Sequence, residues 1–254
     1  MEIGDRSGEG RALGGLGYDY YSLGQYQQAI EYLQQQLVIA REIGERAGEG
    51  TALGNLGNAY IFQGQYQQAI DYLEQQLIIV REIGDRAGEG SALTNLGNAY
   101  TCLGQYQQAI DYLQQSLAIA REIGDRDGER LALTNLGNAY TCLGQYQQAI
   151  DYLQQSLVIA RETGNRDAED TALRNLGITY YDLEQYQQAV DYYQQSLAIA
   201  QEIGNHLEEE KTLLRLGKAF CSLGDYEKAI AYNQQHLAIV QETLEQMRRS
   251  HLTG

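Results

Sequence analysis

Gly4-Asp5-Arg6 returns as Gly44-Glu45-Arg46, Gly84-Asp85-Arg86, Gly124-Asp125-Arg126, Gly164-Asn165-Arg166 and Gly204-Asn205-His206, each time after forty residues. The sixteen residues Asn95–Ile110 are repeated letter for letter at Asn135–Ile150. A fixed period of this length constrains the fold more than any composition, because one short unit cannot bury its own apolar face and must stack on copies of itself. Within the third unit the apolar and small residues are Leu93, Leu96, Gly97, Tyr100 and Leu103, then Tyr106, Ala109, Ile110, Leu113 and Leu117. Steps of three and four predict two amphipathic helices and no strands. Gly104 predicts a left-handed stop between them, Gly84 a stop before them, and Asp85 an N-cap.

The expected architecture is therefore all-α: an α-solenoid of six helix-turn-helix units over residues 1–254. The units run 4–43, 44–83, 84–123, 124–163, 164–203 and 204–243, with 244–254 as a helix extension and tail. Leu244 stands where the next stop glycine is due, so the last helix is expected to continue through Glu245-Gln246-Met247-Arg248-Arg249. Glu2-Ile3-Gly4 copies Glu42-Ile43-Gly44, the tail of a second helix. The chain is therefore expected to start inside a preceding unit, as a fragment of a longer protein or a truncated array, with Met1 an added start. Ends without capping helices predict end-to-end self-association.

The frame Leu96-Gly97, Tyr100, Gly104, Tyr106, Ala109 resembles the L-G, Y, G, Y, A spacing of the tetratricopeptide repeat (TPR) family. It recurs at Leu16-Gly17-Tyr20-Gly24-Tyr26-Ala29, Leu56-Gly57-Tyr60-Gly64-Tyr66-Ala69 and Leu136-Gly137-Tyr140-Gly144-Tyr146-Ala149. The fifth unit has Glu184 for the turn glycine and the sixth has Phe220 for the tyrosine. The period of forty exceeds the commoner thirty-four, and the proline usual after the second helix is absent. The forty-residue form resembles the TPR arrays of the Pins/LGN adaptors. The glutamine-rich "QYQQAI" is also similar to cyanobacterial TPR signalling proteins. The resemblance implies a right-handed superhelix whose first helices line a concave groove.

Chemistry is not expected. The formal charge of −16 opposes nucleic acid and anionic membranes as general partners. Cys102, Cys142 and Cys221 form no CxxC and leave an odd count, which fits a reducing, cytoplasmic setting. His206, His236 and His251 have no metal-site spacing. Asp71, Asp111, Asp151 and Asp191 recur in every second helix, as a solvated face does. The "AGEG" stretches follow no strand and make no phosphate loop. No catalytic residue, metal or cofactor is assigned, and the protein is read as no enzyme.

The groove implied by the resemblance carries two asparagine ladders. One position reads Gly15, Asn55, Asn95, Asn135, Asn175, Arg215; three residues on it reads Tyr18, Asn58, Asn98, Asn138, Ile178, Lys218. An Asn amide donates and accepts, matching one extended peptide unit. The competing reading has these amides bonding between helices and serving only the stacking. Tyr18, Tyr21, Ile61 and Phe62 predict an apolar anchor at one end. Arg174, Lys211, Arg215 and Lys218 predict a basic end that receives acidic residues of a protein or peptide partner, unless they only pair with Glu208, Glu209 and Glu210. The function so read is a peptide-binding module. The alternative is an oligomerisation or regulatory array for an attached effector domain. An RNA-binding array is opposed by the charge.

Overall fold

The computed structural model describes the backbone over residues 3–252. Residues 1, 2, 253 and 254, and the side chains of residues 3–5, 242, 243 and 246–252 (Gln246, Met247, Arg248, Arg249 and His251 among them), lie outside the described residues. Twelve α-helices, and no strand, occupy them: α1 (Ile3–Ser22), α2 (Tyr26–Ile43), α3 (Arg46–Phe62), α4 (Tyr66–Glu82), α5 (Arg86–Cys102), α6 (Tyr106–Ile123), α7 (Arg126–Cys142), α8 (Tyr146–Glu162), α9 (Arg166–Asp182), α10 (Tyr186–Glu202), α11 (His206–Ser222) and α12 (Tyr226–Leu252). Consecutive helices pack as pairs, making the all-α solenoid of helix-turn-helix units.

The turns follow from the glycines. Gly84 has φ 71° and Gly104 φ 81°, the left-handed region that costs a side-chain-bearing residue most. The amide of Asp85 then bonds the Val80 carbonyl at 2.9 Å, closing the α4 terminus, and the Asp85 carboxylate accepts from the Gly88 amide at 2.9 Å. Glu184 occupies the equivalent turn and keeps the same geometry at φ 61°. The second helices differ: Gln25, Gln65 and Gln105 precede them without a side-chain cap. Gly4 lies inside the first turn of α1.

The contacts fall into two compact units, residues 1–139 and 140–254. In the first, Leu53, Leu56, Leu73, Leu93, Leu96 and Leu113 are sealed from solvent. In the second, Leu173, Leu176, Tyr193, Leu213 and Leu216 fill the same role. Each helix pair also stacks one ring from each helix, at centroid separations of 5.2–5.4 Å: Tyr20 on Tyr32, Tyr60 on Tyr72, Tyr100 on Tyr112, Tyr140 on Tyr152, Tyr180 on Tyr192 and Phe220 on Tyr232. Burial pushes the Tyr100 hydroxyl up to about 12. A spacing of twelve between aromatics carries this signal in the sequence.

The forty-residue period has its own device in the connectors. In the first unit Glu89, nearly buried, accepts from Arg81 at 2.8 Å and from Arg86. Arg86 also reaches Glu122. Glu49 repeats this with Arg41 and Arg46, and Arg46 reaches Glu82. In the second unit Glu169 joins Arg161 and Arg166, which meets Glu202. Burial would raise these carboxyls, but the arginine hydrogen bonds outweigh it and hold Glu49, Glu89 and Glu169 below their ordinary value. At the last connector Gln201 and His206 replace the arginines around Glu209.

Candidate functional site

The first helices of successive repeats touch directly, α1 with α3 and α3 with α5. Each also packs against the second helix of its own repeat, α3 on α4 and α5 on α6, and the positions facing that helix are small. A methyl group on Gly97 would fall 2.4 Å from Leu113 Cγ, and one on Gly57 2.5 Å from Leu73 Cγ. The helix surfaces left facing away from these contacts carry the asparagines.

Asn55, Asn58, Asn95, Asn98, Asn135, Asn138 and Asn175 are all half-buried. The side chains of Asn55, Asn58, Asn95, Asn135, Asn138 and Asn175 make no hydrogen bond to another described residue, while Asn98 Oδ1 accepts a weak one from Cys102 Sγ at 3.9 Å. In the first unit, Asn55, Asn58 and Asn95 line one depression of about 320 Å³ between α3 and α5, floored by Gln76 of α4. Asn95 also lines the next depression, between α5 and α7, whose floor is Ser116.

Asn55 and Asn58 have a second neighbour. On their other side they wall a smaller pocket of about 100 Å³ with Tyr18, Tyr21 and Leu33. Tyr18 is 65% exposed and Phe62 59% exposed. Tyr21 meets Phe62 edge-on at 5.4 Å, and Tyr26 stacks on Phe62 at 5.5 Å. Ile61 does not join this face: it is buried in the core, because the helix turns it about 100° from Phe62. Tyr26, absent from the sequence expectation, completes the aromatic group.

In the second unit the four cations separate into two kinds. Arg174 lies 3.2 Å from Glu208 and 3.9 Å from Asp170, and Lys211 donates to Glu208 at 2.9 Å. Ser196 donates to Asp170 at 2.5 Å. Burial raises the Asp170 carboxyl; Glu208, where Lys211 and Arg174 outweigh burial, is lowered. Arg215, half-buried, and Lys218, exposed, have no ion pair among the described residues. Asp170, Arg174 and Glu208 occupy places held by Gly50, Gly54 and Gly88 three repeats earlier. An ion network thus stands here where glycines line the depression of the first unit.

Cys102, Cys142 and Cys221 are free and exposed. Among the described residues no three His, Cys, Asp or Glu side chains are grouped to hold a metal ion, and no helix is long and apolar enough to cross a membrane.

The geometry, a small-residue helix seam repeated in register, is that of a TPR array. The tetratricopeptide repeat model matches residues 8–82, 49–122, 88–162, 128–202 and 168–242. The chain belongs to the tetratricopeptide repeat family. No curated protein sequence matches it significantly. Among solved structures it is similar to BtubC (BKLC) from P. vanneervenii, with TM-score 0.77, 18% identity, 86% of this chain and 92% of that one. It is similar to the signal transduction ATPase with numerous domains, bearing a tetratricopeptide repeat sensor, from Pyrococcus horikoshii: TM-score 0.80, 22% identity, 95% of this chain but 37% of that one. It is also similar to a Rap protein complexed with Competence and Sporulation Factor: TM-score 0.74, 17% identity, 94% of this chain and 76% of that one. At these identities the likeness is one of fold.

Proposed function

We propose that the chain is a non-enzymatic, cytoplasmic interaction module that holds an extended segment of a protein partner along the asparagine-bearing faces of its first helices. One observation carries this reading: half-exposed amides that recur in register and, apart from the weak bond of Asn98 with Cys102, have no hydrogen-bond partner among the described residues. Each offers a donor and an acceptor to a peptide backbone regardless of its side chains. A net hydrogen bond contributes about 0.5–1.5 kcal/mol, so several rungs and side-chain anchors act together against the ordering cost of association. Tyr18, Tyr21 and Phe62 supply an apolar anchor. Arg215 and Lys218 remain uncommitted and favour acidic residues, whereas Arg174 and Lys211 are occupied by Glu208.

The test is an array of extended peptides probed with the wild-type chain, with Asn55→Ala/Asn95→Ala, and with Arg215→Glu/Lys218→Glu. Binding lost in the asparagine variant at unchanged melting temperature supports the reading. Binding unchanged in it refutes the ladder, and binding of acidic peptides unchanged in the charge variant refutes the basic end.

A second reading is favoured by the P. horikoshii likeness, in which a TPR sensor accompanies an ATPase. The array would then restrain or oligomerise an attached effector. Sedimentation with and without a bound peptide separates the two: a monomer that gains a ligand fits the module, and a ligand-independent oligomer fits the array.

A further inference from the structure

One residue of each first helix faces one residue of the following second helix, and the two vary together. In the first unit the pairs are Gly14 with Gln36, Gly54 with Gln76, and Thr94 with Ser116. Where the first member is glycine, the long amide lies flat on its backbone: a methyl group on Gly54 would sit 2.5 Å from Gln76 Nε2. Where it is threonine, only serine fits, and Thr94 Oγ1 meets Ser116 Oγ at 2.6 Å.

The two solutions differ in what they leave unpaired. The Ser116 hydroxyl also donates to the Gly90 carbonyl at 3.0 Å, so that floor is satisfied. Gln76 is 9% exposed, and its Oε1 is buried with no hydrogen-bond partner; Gln36 Oε1 is in the same state. A buried acceptor left unpaired is costly and uncommon in folded proteins. Gln76 forms the floor of the depression between α3 and α5, and its terminal amide torsion is soft. The floor therefore lacks a donor that must come from outside.

The walls say which kind. No lysine or arginine lines this depression; Asp85, Asn55, Asn58 and Asn95 do. Asp85 brings a carboxylate, and the unpaired asparagine oxygens add acceptors. Small residues (Ala47, Thr51 and Ser91 beside the glycines) line much of the rest, and the volume of about 320 Å³ admits a long side chain.

We propose that the depression between α3 and α5 binds a basic side chain, arginine or lysine, of the partner segment. Its N–H groups meet Gln76 Oε1 and the asparagine oxygens, and its charge faces Asp85. This deepens the peptide-binding reading and rests on it. Because Asn55 and Asn58 also wall the aromatic pocket of Tyr18 and Tyr21, the segment that fits best carries an apolar residue beside a basic one. The basic residue sits in the first unit, apart from the acidic residues that Arg215 and Lys218 favour in the second.

The experiment is an amide NMR titration of the full chain with N-acetyl-arginine methylamide, and separately with N-acetyl-glutamate methylamide. The arginine probe is expected to shift the side-chain amides of Gln76, Asn58 and Asn95 saturably, and the glutamate probe is not. Gln76→Met, which keeps length and removes the acceptor, should weaken the arginine probe roughly two- to tenfold, the span of one hydrogen bond. Ser91→Lys, an exposed change on the rim, leaves the core alone and should abolish the shifts. Equal response to both probes, no saturation, or arginine shifts that persist in Ser91→Lys would each overturn the proposal. If the probe fails while Asn55→Ala/Asn95→Ala still loses array peptides, only the basic-side-chain assignment falls.

Discussion

Two glycine-to-alanine changes, each inside a first helix, are expected to act with opposite sign. In Gly97→Ala the new methyl would lie 2.4 Å from Leu113 Cγ, 2.6 Å from its Cδ2 and 3.2 Å from the Ala109 carbonyl oxygen. Carbon atoms rest at about 3.5–4.0 Å, so Leu113 or the helix must retreat by more than 1 Å, on the same scale. Leu113 is sealed from solvent, and a close-packed interior gives it little room to move. A contact this short puts the overpacking cost in the upper part of the usual range, about 2–3 kcal/mol, and alanine's better helix propensity offsets about 0.8–1 kcal/mol. The expected net is a loss of roughly 1–2 kcal/mol, or about 2–8 °C in melting temperature for a domain this size. In Gly15→Ala nothing lies within 4 Å of the new methyl, so only the propensity acts and the chain gains about 0.5–1 kcal/mol. Thermal unfolding followed by circular dichroism, with urea midpoints as a second measure, reads both. A neutral or stabilising Gly97→Ala would show that the helix seam is not set by close approach at this glycine.

Other expectations concern the core, the turns and the connectors. Leu96→Ala should lower stability by about 2–5 kcal/mol through an unfilled cavity, read as a shift in urea midpoint without a change in helix content at 25 °C. Glu184→Gly should stabilise by roughly 1 kcal/mol, since a side chain at φ 61° bears a left-handed penalty that glycine lacks; an unchanged urea midpoint would contradict this. The connector glutamates Glu49, Glu89, Glu129 and Glu169 are held below their ordinary value of 4.5. Their contribution to stability is complete above that value and is lost as pH falls through the depressed folded values. Urea midpoints should therefore be level from pH 7 to about pH 5 and fall below about pH 4.5; a flat profile down to about pH 3 would mean the arginine pairs do not stabilise the fold.

The fold was legible because its signals are local and repeated. A stop glycine, an N-cap aspartate and apolar steps of three and four act within a few residues, so Gly84, Asp85 and Leu96 could be placed from sequence. Ile61 misled because adjacent positions at a helix end point to different surroundings. The site was half legible. Asparagine in the interior of a helix stands out against its poor propensity, and its recurrence marked Asn55, Asn58, Asn95 and Asn98. The floors beneath them were not readable. That Gln76 lies on Gly54 depends on which residue of one helix faces which of another, 22 residues away; pairing with Glu208 stood only as an alternative for the basic end, and Arg174 meets it across 34 residues. The Arg81–Glu89–Arg86 links are short in sequence, but they form only once the turn at Gly84 brings the end of one helix beside the start of the next.

Those links have a bearing on how such a protein changes length. The contacts of Glu89 involve only the helix before it and its own helix, and Arg86 closes onto the second helix of its own repeat, so each joint is complete with one repeat on either side. The identical stretches Asn95–Ile110 and Asn135–Ile150 are where misaligned recombination between gene copies would cut and rejoin. A repeat gained or lost there still meets a matching joint, so the array can be lengthened or shortened by whole units while the chemistry of every remaining seam stays intact.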